Sequence, residues 1–334
     1  MPGRPRLGLY EAKCALIEWR TIISMTSRGL LSALVHGAES LLQPTANQCH
    51  GAMAKMKERR GRPARPCSRR RRACLLGAAS AFTNPVRRPG GSDPFIAYSG
   101  DGYYYMMSTS WTNLQIARSK TIEGLKTAPK KVVYSTNEPR RCYNVWAPEV
   151  HYLDGNWYIY YTAGNASNLD GQNLHVLKGG PSAWDEYTYA GQLTNPWSID
   201  RSVIRFNGWG NYLAYSCFHG VRYQSTCLQK LGDDNVSLTG PISVISQPTE
   251  SWERSGMPVQ EGPVALYYGG KTYIVYSANY CWTPDYCLAT LEWDGRTNPL
   301  RPGAWKKPND RVFSQANGHY GTGHNSFFQS PDGS

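Results

Sequence analysis

SDPFIAYSGDGYYYMMST at 92–109 and WAPEVHYLDGNWYIYYTA at 146–163 share one build: an apolar or aromatic strand, a turn containing glycine, and a second strand dense in tyrosine. The build returns in SIDRSVIRFNGWGNYLAYS (198–216) and QEGPVALYYGGKTYIVYSA (260–278), and its first half returns in GHNSFFQSPDGS (323–334). Asp-Gly and Asn-Gly pairs between such strands favour type I′ hairpins, because both central residues take positive φ. The turn glycines Gly102, Gly155, Gly208, Gly270 and Gly333 are 53, 53, 62 and 63 residues apart. Between one hairpin and the next lies a third strand pattern and a linker, as in LQIARSKTIEG (114–124) and LHVLKGGPSAWDEY (174–187). A four-stranded antiparallel unit recurring at this interval predicts an all-β fold, a five-bladed β-propeller. The competing β-sandwich gives no reason for acidic residues to recur at matching places. The fifth repeat stops at its turn, so the expected fifth blade is incomplete and truncated at the C-terminus.

Composition separates two regions, a basic leader over 1–82 and the propeller over 83–334. The net charge of +12 belongs almost wholly to residues 1–82, where 15 Lys/Arg face 4 Asp/Glu; residues 83–334 hold 21 and 20. The repeat region therefore lacks the electrostatic footprint of a nucleic-acid binder. The leader contains SRRRR at 68–72, an amphipathic helical pattern at 21–42, and RRRRACLLGAASAF at 69–82, which ends in an A-x-A pattern like a secretion-signal remnant. It is expected to be mostly disordered, and its first part an unusual extension or a gene-model artefact. No run reaches the roughly 18 apolar residues that a membrane span requires. Export agrees with the cysteine pattern: Cys217/Cys227 and Cys281/Cys287 are placed for local disulfides, and Cys142 is left over. Asn165-Ala-Ser and Asn235-Val-Ser are N-glycosylation acceptors in a secreted chain.

The repeats also align side chains that carry chemistry. Asp93, Glu261 and His324 each stand nine residues before their turn glycine, and Asp200 stands eight before Gly208. In the second repeat Trp146 holds the nine-residue position, whereas Glu149 lies six before Gly155 and is read as structural. A closed ring brings these positions to one axis. Three carboxylates meeting there match glycoside hydrolysis, which needs one carboxylic acid to protonate the leaving oxygen and one carboxylate to activate water or attack the sugar.

At these residues the sequence resembles glycoside hydrolase family 43. The likeness runs through Asn84-Pro85-Val86 with Ser92-Asp93-Pro94, Trp146-Ala147-Pro148-Glu149-Val150-His151, Ile199-Asp200, Glu261-Gly262-Pro263, and Tyr320-Gly-Thr-Gly-His324-Asn-Ser-Phe. The resemblance implies an inverting mechanism with Asp93 as general base, Glu261 as general acid, and Asp200 orienting Glu261 and raising its pKa. In that mechanism base and acid stand roughly 6.5–9.5 Å apart. It implies no required cofactor, with a structural Ca2+ near the axis and His324 as the residue that helps hold it. Phe95, Trp111, Trp146 and Trp282 are the candidate sugar contacts; Trp197 and Trp252 are further aromatic candidates.

PTESWERSGMPVQEGP (248–263), YSANYCWTPDYC (276–287) and YGTGHNSF (320–327) are most similar to exo-acting α-L-arabinofuranosidases. The expected function is thus removal of terminal α-L-arabinofuranosyl groups from arabinan or arabinoxylan by a secreted, monomeric enzyme that binds neither nucleic acid nor membrane. Endo-arabinanase, β-xylosidase and a non-catalytic sugar-binding propeller are the alternatives. One departure stands out: Asp200 is followed by Arg201-Ser202, where this group more often has Gly-Thr.

Overall fold

The computed structural model describes residues 82–331, except 88, 89 and 167. The leader's helical pattern, A-x-A pattern and cysteines lie outside the described residues. Sixteen strands form four antiparallel sheets, each a simple meander. Blade 1 comprises β1 (Phe95–Tyr98), β2 (Tyr104–Met107), β3 (Asn113–Ser119) and β4 (Lys130–Ser135). Blade 2 comprises β5 (Tyr143–Leu153), β6 (Asn156–Gly164), β7 (Asn173–Lys178) and β8 (Thr188–Gln192). Blade 3 comprises β9 (Ser198–Phe206), β10 (Gly210–Cys217), β11 (Ser225–Leu231) and β12 (Leu238–Ser246). Blade 4 comprises β13 (Gln260–Tyr268), β14 (Lys271–Ala278), β15 (Cys287–Trp293) and β16 (Trp305–Lys306). The chain is an all-β propeller.

Alternating side chains on each sheet face fill the spaces between blades, as the pleat requires. Blades 1 and 2 enclose Tyr105, Ile116, Ile159 and Tyr161. Blades 2 and 3 enclose Tyr158, Tyr160, Leu213 and Tyr215, and blades 3 and 4 enclose Ile204, Phe206, Ile274 and Tyr276. The inner strands β1, β5, β9 and β13 follow one another around the axis.

Among the described residues, 320–331, where the sequence predicts the start of an incomplete fifth blade, contain no strand, and four blades are formed. This segment nevertheless spans the gap between blades 4 and 1. The N–H of His324 donates to Ser277 Oγ of β14 (2.7 Å), and the N–H of Ile96 in β1 donates to Ser326 Oγ (3.1 Å). The adjacent residues Phe327 and Phe328 pack into opposite blades, one against Val264, Val275 and Leu288, the other against Ile96, Tyr104 and Met106. Gly323 lies so close to Tyr286 that a Cβ there would stand 2.0 Å from the ring. Any larger residue would push the segment off the axis.

Several local expectations change. Cys217 and Cys227 are joined, with Cα atoms 6.0 Å apart. Cys281 and Cys287 are not joined to each other: Cys287 is buried in β15, where Asn279 Nδ2 approaches its sulfur at 3.6 Å. Asn235 is 3% exposed and its amide donates to Asp154 Oδ2 (2.8 Å), so this fold leaves no room for a glycan on its nitrogen. Among the described residues no helix is long and apolar enough to cross a membrane.

Candidate active site

A backbone feature repeats around the axis more strictly than the turn glycines do. Asp93, Ala147, Asp200, Gly262 and His324 all adopt left-handed φ, between 47° and 54°. In blades 2, 3 and 4 this residue sits in a β-bulge, where the register slips between Trp146 and Glu149, between Ile199 and Ser202, and between Glu261 and Val264. A bulge re-aims side chains at a sheet edge and is enriched beside active sites. For the non-glycine members the conformation costs on the order of 1–3 kcal/mol each, which the surrounding contacts must offset. At the fourth position a Cβ would stand 3.2 Å from the His324 ring and 3.3 Å from Ser277 Oγ, which explains Gly262.

This mark corrects the phase read from the sequence. Asp93, Asp200 and His324 are structurally equivalent, whereas Glu261 and Trp146 lie one residue earlier. The turn glycine is an unsteady reference point. Blade 1 turns through Ser99–Tyr103 between β1 and β2, while blade 2 turns through Asp154-Gly155 alone.

Three carboxylates and one imidazole meet at the axis. Asp93 accepts a short hydrogen bond from Thr109 Oγ1 on Oδ2, and its Oδ1 lies 3.2 Å from His324 Nδ1. Thr109 is itself held by the N–H of Ala147 (2.8 Å), so blades 1 and 2 jointly orient Asp93. Asp200 is buried; its Oδ2 accepts the N–H of Gly262 (3.2 Å) and lies 4.0 Å from His324 Nδ1. Glu261 accepts the Tyr286 hydroxyl on Oε1 (2.8 Å) and Gln224 Nε2 on Oε2 (3.1 Å).

Electrostatics give these groups different states. Burial, then the negative charge of Asp200, pushes Glu261 up to about 7, against the pull of the Tyr286 hydrogen bond and His324. Burial also raises Asp200, opposed by His324; Asp93 adds to the rise, and Arg201 and the Gly262 N–H oppose it. Burial disfavours charge on His324, but Asp93, Asp200, Glu261 and Glu149 outweigh it and raise its pKa. Two carboxyl groups are thus driven upward beside a third, the kind of separation from which an acid and a base are made.

The aromatic candidates divide. Trp146 is half-buried and meets Trp111 edge-on at 6.0 Å; Trp111 is 40% exposed. Trp146 stands in the register of Glu261, and Trp111 lies against it. Trp282 is half-buried in the loop between β14 and β15, and Tyr320 is exposed. Phe95, expected to touch sugar, is packed in the core between blades 1 and 2, with its ring 5.1 Å from His151. Its place two residues beyond Asp93 puts it in a deeper layer, together with Glu149. Glu149 is buried and paired with His151 Nε2 at 2.7 Å. Trp252 donates to the Asn309 carbonyl and packs between blades 3 and 4, while Trp197 packs against Phe218 at 4.9 Å.

Thr109, Gln224, Ser277 and Tyr286 escape the sequence reading. They reach the acids from other strands and loops, and no spacing rule connects them. The one available signal for Tyr286 is its place in YCWTPDYC, beside the fourth hairpin.

A propeller with clustered axial carboxylates suits the chemistry of glycoside hydrolysis, and comparison with known proteins narrows it. A family model described as glycosyl hydrolases family 43 matches residues 82–334. An extracellular exo-α-(1→5)-L-arabinofuranosidase of Streptomyces avermitilis is 35% identical over 263 residues, covering 75% of this chain and 54% of that protein. A protein of the same description from Streptomyces chartreusis is 31% identical over 266 residues, covering 75% of this chain and 79% of the relative. The crystal structure of an α-L-arabinofuranosidase from Lactobacillus brevis superposes with a TM-score of 0.70 at 25% identity, over 76% of this chain and 83% of that one. The chain spans about half the length of the first of these relatives. It belongs to glycosyl hydrolases family 43.

Proposed function

We propose that this protein is a secreted exo-acting α-L-arabinofuranosidase that releases terminal arabinofuranosyl groups from arabinan or arabinoxylan with inversion. One observation carries the reading: Asp93 and Asp200 converge on His324 at the axis, and Glu261, held by Tyr286 and Gln224, stands directly before Gly262, whose N–H binds Asp200, where burial and Asp200 push its pKa up to about 7. In this scheme Asp93 takes a proton from water as the water oxygen bonds to the anomeric carbon. Glu261 gives its proton to the glycosidic oxygen as the C–O bond breaks. Burial and then Asp200 raise the pKa of Glu261, and Asp200 holds the strand through the Gly262 N–H. Thr109 and His324 fix the base; Tyr286 and Gln224 fix the acid. Trp111 and Trp146 offer a face on which a sugar ring can stack. Arabinose as the sugar, and secretion, are supported by the names of the two Streptomyces relatives. The segment 320–331 serves in this reading as the innermost part of a fifth blade that closes the ring.

The test compares hydrolysis of an aryl α-L-arabinofuranoside, an aryl β-D-xyloside and linear arabinan by the purified chain. The arabinofuranoside should react fastest, and arabinan should yield arabinose alone. Release of longer oligomers would replace the exo reading with an endo one. Sugar binding without turnover would leave a carbohydrate-binding propeller.

A further inference from the structure

The rim of the propeller mouth carries aromatic surface that the proposed chemistry does not use. The mouth lies at the ends of the inner strands nearest the left-handed residues Ala147 and Asp200. At that end of blade 3, Ser198 of β9 pairs with Cys217 of β10, and Trp197 and Phe218 continue the chain outward from this pair. Trp197 stands three residues before Asp200, at most about 10 Å of chain away. The Trp197 and Phe218 rings are 4.9 Å apart; Trp197 is half-buried and Phe218 is 42% exposed. Trp197 Nε1 donates to the carbonyl of Leu169 (2.8 Å), an exposed residue in the loop after β6. Blades 2 and 3 thus bring three partly exposed apolar residues to one stretch of the rim.

Phe218 opens a loop that ends on the acid. The bond between Cys217 and Cys227 closes this loop at its base, and the His219 N–H donates to Cys217 Sγ (3.2 Å). At the far end the Gln224 carbonyl accepts the Gln260 N–H (3.0 Å), and Gln224 Nε2 donates to Glu261 Oε2 (3.1 Å). The stretches 195–198 and 217–221 hold no Lys, Arg, Asp or Glu, so this part of the rim suits a neutral partner. The chemistry indicates which one. Glu261 gives its proton to the glycosidic oxygen, and that oxygen departs with the remainder of the substrate. The remainder therefore begins at Glu261 and leads away over the loops that border the acid. The loop 218–224 is one of them.

We propose that Trp197 and Phe218 form a platform for the leaving part of the substrate: a neutral arabinofuranosyl chain, extending from Glu261, lays the apolar faces of its sugars on the two rings. The proposal rests on the reading of Glu261 as the acid and of arabinose as the sugar, and adds where the rest of the chain lies. Sugars on the platform are remote from the bond that breaks, so they are held equally in the ground state and the transition state. Such contacts lower KM for long substrates and leave kcat alone. The Cys217–Cys227 bond serves both ends of the loop, keeping Phe218 on the rim and Gln224 on the acid.

The test uses the purified full chain with linear arabinopentaose and with methyl α-L-arabinofuranoside, whose leaving group is only methanol. The ratio of kcat/KM on the pentaose to kcat/KM on the methyl glycoside should fall roughly tenfold in Phe218→Ala, with the change in KM. Trp197→Ala should lower the ratio in the same direction, and Phe218→Tyr should keep it. If Trp197→Ala does not fold, the exposed position 218 decides alone. A second measurement does not depend on turnover: in a Glu261→Gln background, calorimetry should show arabinopentaose bound roughly tenfold more weakly once Phe218→Ala is added, with arabinose binding unmoved. An unchanged ratio, or equal losses on both substrates, would overturn the platform while the assignment of Glu261 stands. So would arabinopentaose that binds no tighter than arabinose, or self-association of the chain that Phe218→Ala abolishes, which would give the patch to a second copy. Pentaose binding weakened by Phe218→Ala, with no hydrolysis of either substrate by the wild type, would count against the proposed function alone.

Discussion

Two glutamates eight positions apart in sequence, Glu253 and Glu261, each accept a tyrosine hydroxyl and a glutamine amide and differ in the rest of their surroundings. Glu253 is fully buried and accepts the Tyr276 hydroxyl (2.8 Å) and Gln260 Nε2 (2.7 Å) on one oxygen; the other lies 2.7 Å from Lys307 Nζ. Glu261 likewise accepts a tyrosine hydroxyl and a glutamine amide, from Tyr286 and Gln224. Among the described residues no lysine or arginine is paired with it; its charged neighbours are Asp200, His324 and Asp93. A buried carboxylate with a contacting ammonium ion is a structural anion. A similarly bound carboxyl without one, beside another carboxylate, keeps its proton and can deliver it. A contacting lysine and the Glu250 N–H on one side, and a neighbouring carboxylate on the other, separate the strut from the acid.

The contrast can be broken from either side. Lys307→Met leaves Glu253 buried without its counter-charge and should destabilise the fold by about 3 kcal/mol, as read by denaturant unfolding, while kcat at a permissive temperature stays close to wild type. An unchanged unfolding midpoint would mean that the lysine does not distinguish the two sites. Glu261→Gln should do the reverse. The raised pKa of Glu261 means that ionising it costs the folded state, so wild-type stability falls as pH rises from the ordinary carboxyl range through about 7. The glutamine variant lacks this loss and should be the more stable protein at pH 8, by on the order of 2 kcal/mol. At pH 4 the difference should vanish.

Finer changes sharpen the comparison. Asp200→Asn removes the carboxylate that most raises Glu261, so the alkaline limb of kcat/KM, expected near pH 7, should move down by about one unit as the maximal rate falls. A limb that stays in place would assign it to another group. Tyr286→Phe removes a hydrogen bond that favours the ionised acid. The limb should then move upward, by less than a unit, with substrate affinity little changed.

Much of this site is legible in the sequence because hairpins and acids recur together. Tyrosine-rich strands flanking Asp154-Gly155 announce blade 2 as plainly as the coordinates show it, and Asp93, Asp200, Glu261 and His324 are brought together on one axis. The phase is not legible, because turn length varies and backbone φ leaves no mark in the letters: Ala147 and Gly262 share a conformation with Asp93. The holding groups are hidden for a different reason. Thr109, Gln224 and Tyr286 become neighbours of the acids only through blade packing. Phe95 shows the limit of composition, since an aromatic residue two positions beyond the base belongs to the core layer and not to the open mouth.

The central claim, that Glu261 is the proton donor, is tested most directly by leaving-group dependence. Glu261→Gln should lose roughly 1,000-fold in kcat/KM on arabinan or on an arabinofuranoside whose leaving group needs protonation. On a dinitrophenyl arabinofuranoside, whose leaving group departs as an anion, the same variant should keep most of the wild-type rate. Equal losses on both substrates would show that Glu261 acts at another step, and the account of this axis would fail.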